Sequence, residues 1–186
     1  MILCSFLIAA QIVLARFVGI QINEGLRISF ETIPMILGSI WLGPLWGMVI
    51  AVLSDILGTI VSGYGVYFPL LTVGPVLLTL IIGLTGSYVT DIDAESKQSL
   101  LIFILSVIGA EVLNTLYGTW ALTLYYSIIL GKEMPFKVLF AARAVTKPVT
   151  ILVDTVLSYL LHKSLFKPVV SKYLTQVAQV SNKGEN

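Results

Sequence analysis

Charged side chains are scarce in this 186-residue chain, at 11% of residues, and their signs nearly cancel to a formal net charge of +1. Such a balance gives no basic surface for nucleic acid. Cys4 is the sole cysteine, which excludes an intramolecular disulfide. With His162 as the sole histidine, a conventional transition-metal site has too few ligands. A phosphate-cradling G-x-x-x-x-G-K-[ST] is missing too, so ATP hydrolysis by the P-loop route would need other chains. Nothing in the sequence calls for a cofactor. What is abundant is apolar surface: 57% of residues are hydrophobic and the mean hydropathy is +0.97, far above a soluble domain of this length.

Apolar runs recur from end to end, so the chain reads as an integral membrane protein and neither a single anchor nor an interfacial helix fits. A transmembrane β-barrel would alternate polar and apolar residues, and runs such as "LLTLIIGL" (77–84) do not. The expected fold is all-α, a bundle of six transmembrane helices over 2–20, 29–42, 45–62, 70–89, 99–128 and 137–163. The first run begins at Met1 with no basic region ahead of it and no small-residue cleavage pattern after it, so it is expected to be retained as a helix. The second helix is expected to be too short to span, since fourteen residues at about 1.5 Å each reach only about 21 Å. Polar or irregular loops are expected at 21–28, at "SGYGVYFP" (62–69), at "TDIDAESKQ" (90–98) and at "GKEMP" (131–135). Residues 1–166 form one expected membrane domain, and 167–186 a polar cytoplasmic tail.

Lysine and arginine placement favours both termini in the cytoplasm. That orientation gathers Lys97, Lys163, Lys167, Lys172 and Lys183 inside and leaves Arg27, Lys132 and Lys137 outside. It also sets the loops at 21–28, 62–69 and 129–136 on the outer face. Ionisable groups at bilayer depth cost several kcal/mol unless they face a cavity or a partner, which makes each a candidate for function. Arg16, Glu31, Asp55, Glu111, Arg143, Lys147 and Asp154 fall within or at the edge of expected helices. Arg143, Lys147, Thr150 and Asp154 share one helical face, as do Glu111, Asn114, Gly118, Ala121 and Tyr125. For Asp55, Glu111 and Asp154 two roles fit equally, ligand contact or a structural ion pair such as Glu111 or Asp154 with Lys147. For Arg143 and Lys147, one and two turns below the outer face, their charge suits an anionic solute. Tyr64, Tyr67, Phe68 and Trp120 fit either an interfacial aromatic belt or ring stacking on a ligand. Ser5 and Ala9, small residues four apart on the first helix, mark a candidate docking face.

Several segments carry a resemblance that runs nearly the length of the chain: "LIAAQIVLARF" (7–17), "LRISFETIPMILGSIWLGPLWGMVIAVLSDILG" (26–58), "YFPLLT" (67–72), "LNTLY" (113–117), "LGK" (130–132) and "ARAVTKPV" (142–149). They resemble the six-helix, substrate-binding S subunits of energy-coupling factor (ECF) vitamin transporters, and among these the folate type. The resemblance implies capture of a vitamin under the outer loops and docking onto a shared membrane coupling subunit carrying two ATPase subunits, with Ser5 and Ala9 at the positions of the family's helix-1 alanine pair. Two positions depart from the folate pattern, Glu31 where relatives have glycine after "SF" and "PLLT" where they have "PGFT". Pantothenate, riboflavin and pyridoxine are the alternative cargoes.

A folate-like ligand needs a flat aromatic slot and cations for its carboxylates. Tyr67, Phe68, Tyr117 and Trp120 are the candidates for the first, and Arg27, Arg143 and Lys147 for the second, with Asn114 nearby. Glu31 either accepts hydrogen bonds from a heterocyclic amino group or pairs with Arg27, four residues before it. A membrane enzyme using Asp55, Glu111 or Asp154 is the competing class, but these carboxylates have no recognisable catalytic partners. His162 lies at the expected cytoplasmic end of its helix, far from "VSGYG" (61–65) on the outer side, which argues against an intramembrane serine protease.

Overall fold

The computed structural model describes residues 2–15, 20–23, 26–28, 30–62, 66–91 and 97–165. Six helices follow in order: α1 (Ile2–Val13), α2 (Thr32–Leu42), α3 (Pro44–Ser62), α4 (Pro69–Asp91), α5 (Lys97–Ile128) and α6 (Phe136–Leu165). Between α1 and α2 the backbone forms two short strands, β1 (Ile20–Asn23) and β2 (Leu26–Ile28). The architecture is the expected helical membrane bundle. The windows Pro44–Val61, Pro69–Gly86, Gln98–Ile128 and Phe136–Leu165 are long and apolar enough to cross a bilayer, whereas α1 and α2 are shorter.

The main departure from the sequence reading lies at 20–28. Instead of a helix running to Ile20 and a plain loop, β1 and β2 pair antiparallel in the register Ile20↔Ile28, Gln21↔Arg27 and Asn23↔Leu26. The physical reason is in the pattern: "IQIN" and "LRI" alternate apolar and polar residues with the period of a strand. The second helix also starts later than Ser29. It begins at Thr32, so Glu31 is its N-cap residue and not a residue one turn inside it.

Helix α2 is the axis of the molecule. Its eleven residues are apolar nearly all round, and every one from Thr32 to Trp41 is buried, as a helix without a polar face must be. It packs against α1, α3, α4 and α6. A sharp reversal at Gly43, whose φ of +87° suits glycine alone, delivers the chain to Pro44 at the first position of α3. Gly83 lets α4 lie directly on that corner, because a Cβ there would overlap the backbone of Pro44.

Depth is set by two contacts between α2 and α6. The Thr32 hydroxyl donates to Asp154, and nine residues further on the Trp41 indole N–H donates to Nδ1 of His162 at 3.0 Å. The two helices therefore run parallel, with α2 beside only the last part of α6. At about 1.5 Å per residue α2 is about 16 Å long and α6 about 45 Å. The apolar core follows α2: Leu7, Ile36, Ile40, Trp41, Ile50, Leu78, Ile82, Phe103 and Val107 form one cluster in that half of the bundle. Toward the other end α6 has no α2 beside it and packs against α5, with Arg143 bonded to Thr119; α6 also touches β2.

Candidate functional site

The inward face of α6 is a ladder of polar groups. Arg143, Lys147, Thr150 and Asp154 recur at spacings of four, three and four, which keeps them on one side of a helix. Thr150 and Asp154 are buried, while Arg143 and Lys147 are half-buried and sit above the level at which α2 begins. Lys147 reaches across to α5, where its Nζ lies 3.5 Å from Oε2 of Glu111. Arg143 donates from a guanidinium nitrogen to the Thr119 hydroxyl at 3.3 Å.

Below Lys147, among the described residues, Asp154 interacts electrostatically with Glu111 and Glu31 as well as with Lys147. Both Glu111 oxygens and Asp154 Oδ1 are buried without a hydrogen-bond partner among the described residues. Buried carboxylate oxygens are costly at this depth, and among the described residues Lys147 and the Thr32 hydroxyl stand beside them. Glu31, at the N-cap of α2, makes no capping hydrogen bond with its side chain.

An aromatic group closes the same end of the bundle. Phe68, just ahead of α4, meets Tyr125 near the end of α5 edge-on at a centroid distance of 5.7 Å, and Tyr125 meets Tyr126 at 6.2 Å. Tyr67 lies 3.1 Å from the Thr72 hydroxyl, which in turn contacts Asp55 on α3. Antiparallel packing of α3, α4 and α5 thus brings the start of α4 and the end of α5 level with Arg143 near the start of α6.

The residues singled out from sequence separate into groups. Lys147 and Glu31 both act electrostatically on Asp154, Arg143 lies one turn further toward the start of α6 against Thr119 of α5, and Tyr67 and Phe68 belong to the aromatic end. Asn114 turns toward α4, where its Oδ1 would lie 2.6 Å from a Cβ on Gly74. Tyr117 and Trp120 contact each other at 5.6 Å, but Trp120 is half a helical turn around α5 from Glu111 and 48% exposed, so it faces away from the polar ladder. The backbone of Arg27 pairs within the hairpin, and its side chain lies outside the described residues, as do Arg16 and Tyr64. The tail from 167 onward also lies outside them. Thr119, Thr32, Thr72 and Tyr125 escaped the sequence reading as partners, because a threonine in an apolar helix carries no signal until its neighbour is known.

Two other surfaces complete the picture. A cavity of about 220 Å³ opens between α5 and α6, lined by Val112, Leu116, Phe140, Pro148 and Ile151 with Lys147 among them. Its exposed apolar walls turn it toward the hydrocarbon, and it is smaller than the roughly 300–1,000 Å³ usual for a drug-sized ligand. On α1, Ile2, Ser5, Phe6, Ala9 and Val13 form one exposed stripe, opposite the buried Cys4, Leu7 and Gln11. Among the described residues no group of three or more His, Cys, Asp or Glu side chains is placed to hold a metal ion.

Comparison with known proteins gives the arrangement a context. Residues 1–162 match the sequence model of the family described as ECF transporter, substrate-specific component. A protein of Clostridium novyi (strain NT) named folate transporter FolT is 27% identical over 159 residues, covering 86% of this chain and 85% of that protein. A protein of the same name from Leuconostoc mesenteroides subsp. mesenteroides is 28% identical over 127 residues, covering 68% of this chain and 65% of its own. The fold is shared with a crystal structure of FolT bound with folic acid, at a TM-score of 0.68 and 22% identity, covering 88% of this chain and 92% of that one. The chain therefore belongs to the substrate-specific components of ECF transporters, multi-pass membrane proteins of transport and not enzymes.

Proposed function

We propose that this chain captures folate at the outer face of the membrane and hands it on through a coupling subunit driven by two ATPase subunits. The observation that carries the reading is the depth of α2. Because Thr32 stands beside Asp154, Arg143 and Lys147 lie on the part of α6 that has no α2 beside it, and α6 also touches β2 of the hairpin. A ligand with carboxylates at one end and a flat heterocycle at the other suits that space. Arg143 takes a carboxylate with its planar fork, Lys147 adds a point charge, and Tyr67 and Phe68 offer ring faces. The names of the two relatives and the bound ligand of the structural neighbour support folate as the cargo.

In this reading both termini are cytoplasmic, residues 1–166 are the membrane domain, and 167–186 a cytoplasmic tail. The exposed α1 stripe around Ser5 and Ala9 docks on the coupling subunit, its small residues allowing close helix approach in lipid. The test is titration of the purified chain with folic acid, riboflavin and pantothenate. Tight binding of folic acid alone is the expected result. Binding of another vitamin in its place would redirect the assignment, and binding of none would end it.

A further inference from the structure

Asp55 is an acid at bilayer depth that the anion-binding face does not use. It lies on α3 seven residues before Ser62, so about 10 Å from the end of that helix. Its carboxylate oxygen Oδ2 contacts the buried hydroxyl of Thr72 in the first turn of α4. The same hydroxyl oxygen lies 3.1 Å from the phenol oxygen of Tyr67. A threonine hydroxyl has one hydrogen, and an ionised carboxylate only accepts. With the Asp55 carboxylate ionised, the Thr72 O–H donates to Asp55 and the Tyr67 O–H donates to Thr72. Each bond polarises the next, and the chain ends on a charge, so the phenol is held more firmly than by one neutral bond.

We infer that Asp55 and Thr72 are positioning residues that lock Tyr67 by its hydroxyl, so that the 66–68 segment is fixed over the ligand space and offers the ligand the ring of Tyr67 and not its O–H. Two further contacts tie the segment down. The Leu71 N–H donates to the Phe68 carbonyl at 2.9 Å, and the Phe68 ring sits against Tyr125 on α5. The segment thus joins α3, α4 and α5 at one end of the bundle, and the Asp55 charge is retained in an apolar helix as its anchor. This rests on the folate-site reading above for its ligand, but the anchoring itself belongs to the unliganded chain.

The experiment uses the full chain in detergent with Thr72→Val, Thr72→Ser, Tyr67→Phe and the double variant Tyr67→Phe/Thr72→Val. Hydrogen exchange of the backbone amides at 66–71 is read without ligand, and folic acid dissociation is read with it. Thr72→Val and Tyr67→Phe are each expected to speed exchange at 66–71 and to raise the dissociation rate by about tenfold, as residues of one coupled chain do. The double variant should lose no more than either single one, and Thr72→Ser, which keeps the hydroxyl, should restore wild-type behaviour. Additive losses, a Thr72→Ser variant as impaired as Thr72→Val, or unchanged exchange at 66–71 would each overturn the inference. Failure of the wild-type chain to bind folic acid would instead overturn the folate reading, and the exchange measurements would still decide the anchoring.

Discussion

The indole N–H of Trp41 donates to Nδ1 of His162 across 121 residues of sequence, and both side chains are buried. With Thr32 and Asp154 one level above, this bond fixes how deep α2 sits beside α6. Replacing Trp41 by Phe keeps most of the apolar bulk and leaves His162 Nδ1 without its donor. A loss of about 1–3 kcal/mol in stability is expected from one buried unsatisfied acceptor. Thermal denaturation in detergent measures it, and folic acid affinity at 25 °C should change less than the stability does.

Arg143 stands on the polar face of α6, where its guanidinium donates to the Thr119 hydroxyl. In the proposed reading it also takes a carboxylate of the ligand. Arg143→Ala should weaken folic acid binding at least tenfold, about 1.4 kcal/mol or more, and Arg143→Lys should recover only part of it for want of a bidentate fork. Isothermal titration of both variants decides this, and an unchanged affinity for Arg143→Ala would remove the residue from the site.

Lys147 answers the buried charge of Glu111 and Asp154. Lys147→Met strands two carboxylates in the bundle, and breaking a buried pair typically costs about 3–5 kcal/mol. Because Lys147 keeps 28% of its side chain exposed, screening trims that figure here. The double variant Glu111→Gln/Lys147→Met removes one of the stranded charges and should be more stable than Lys147→Met. The order of the two melting temperatures is the measurement.

Gly83 tests the corner where α4 crosses Pro44. A valine there must push α4 away from the start of α3, so Gly83→Val should lower stability by about 1–3 kcal/mol, in the range of overpacked cores. A melting temperature equal to the wild type would show that the corner yields.

Ser5→Trp probes the exposed stripe of α1. The substitution adds bulk on an exposed face of α1, so folic acid binding should persist while uptake into cells or vesicles with the whole transporter is lost. Uptake at the wild-type rate would dismiss this stripe as the docking face.

Much of this structure was readable before any coordinates. The four long helices announce themselves by unbroken apolar runs, and α2 by being both too short to span and too apolar to be exposed. The shared face of Arg143, Lys147, Thr150 and Asp154 follows from helical spacing alone. The hairpin was missed because "IQIN" continues an apolar segment, and four residues of alternation are a faint signal beside a transmembrane run. Trp120 was grouped with Tyr67 as a stacking candidate because both are aromatics near one membrane face. Only the rotation of α5 about its axis separates them. Pairings such as Arg143 with Thr119, or Tyr67 with Thr72, depend on which helices are neighbours, and a single sequence does not carry that.

In the proposed reading the short α2 makes cargo length a matter of counting turns. Its first residue would then be the bottom of the vessel, and each turn added ahead of Thr32 would raise that bottom by about 5.4 Å. Within one scaffold, then, a few residues gained or lost between the hairpin and Thr32 would retune the size of molecule admitted, and the surrounding helices would need no redesign.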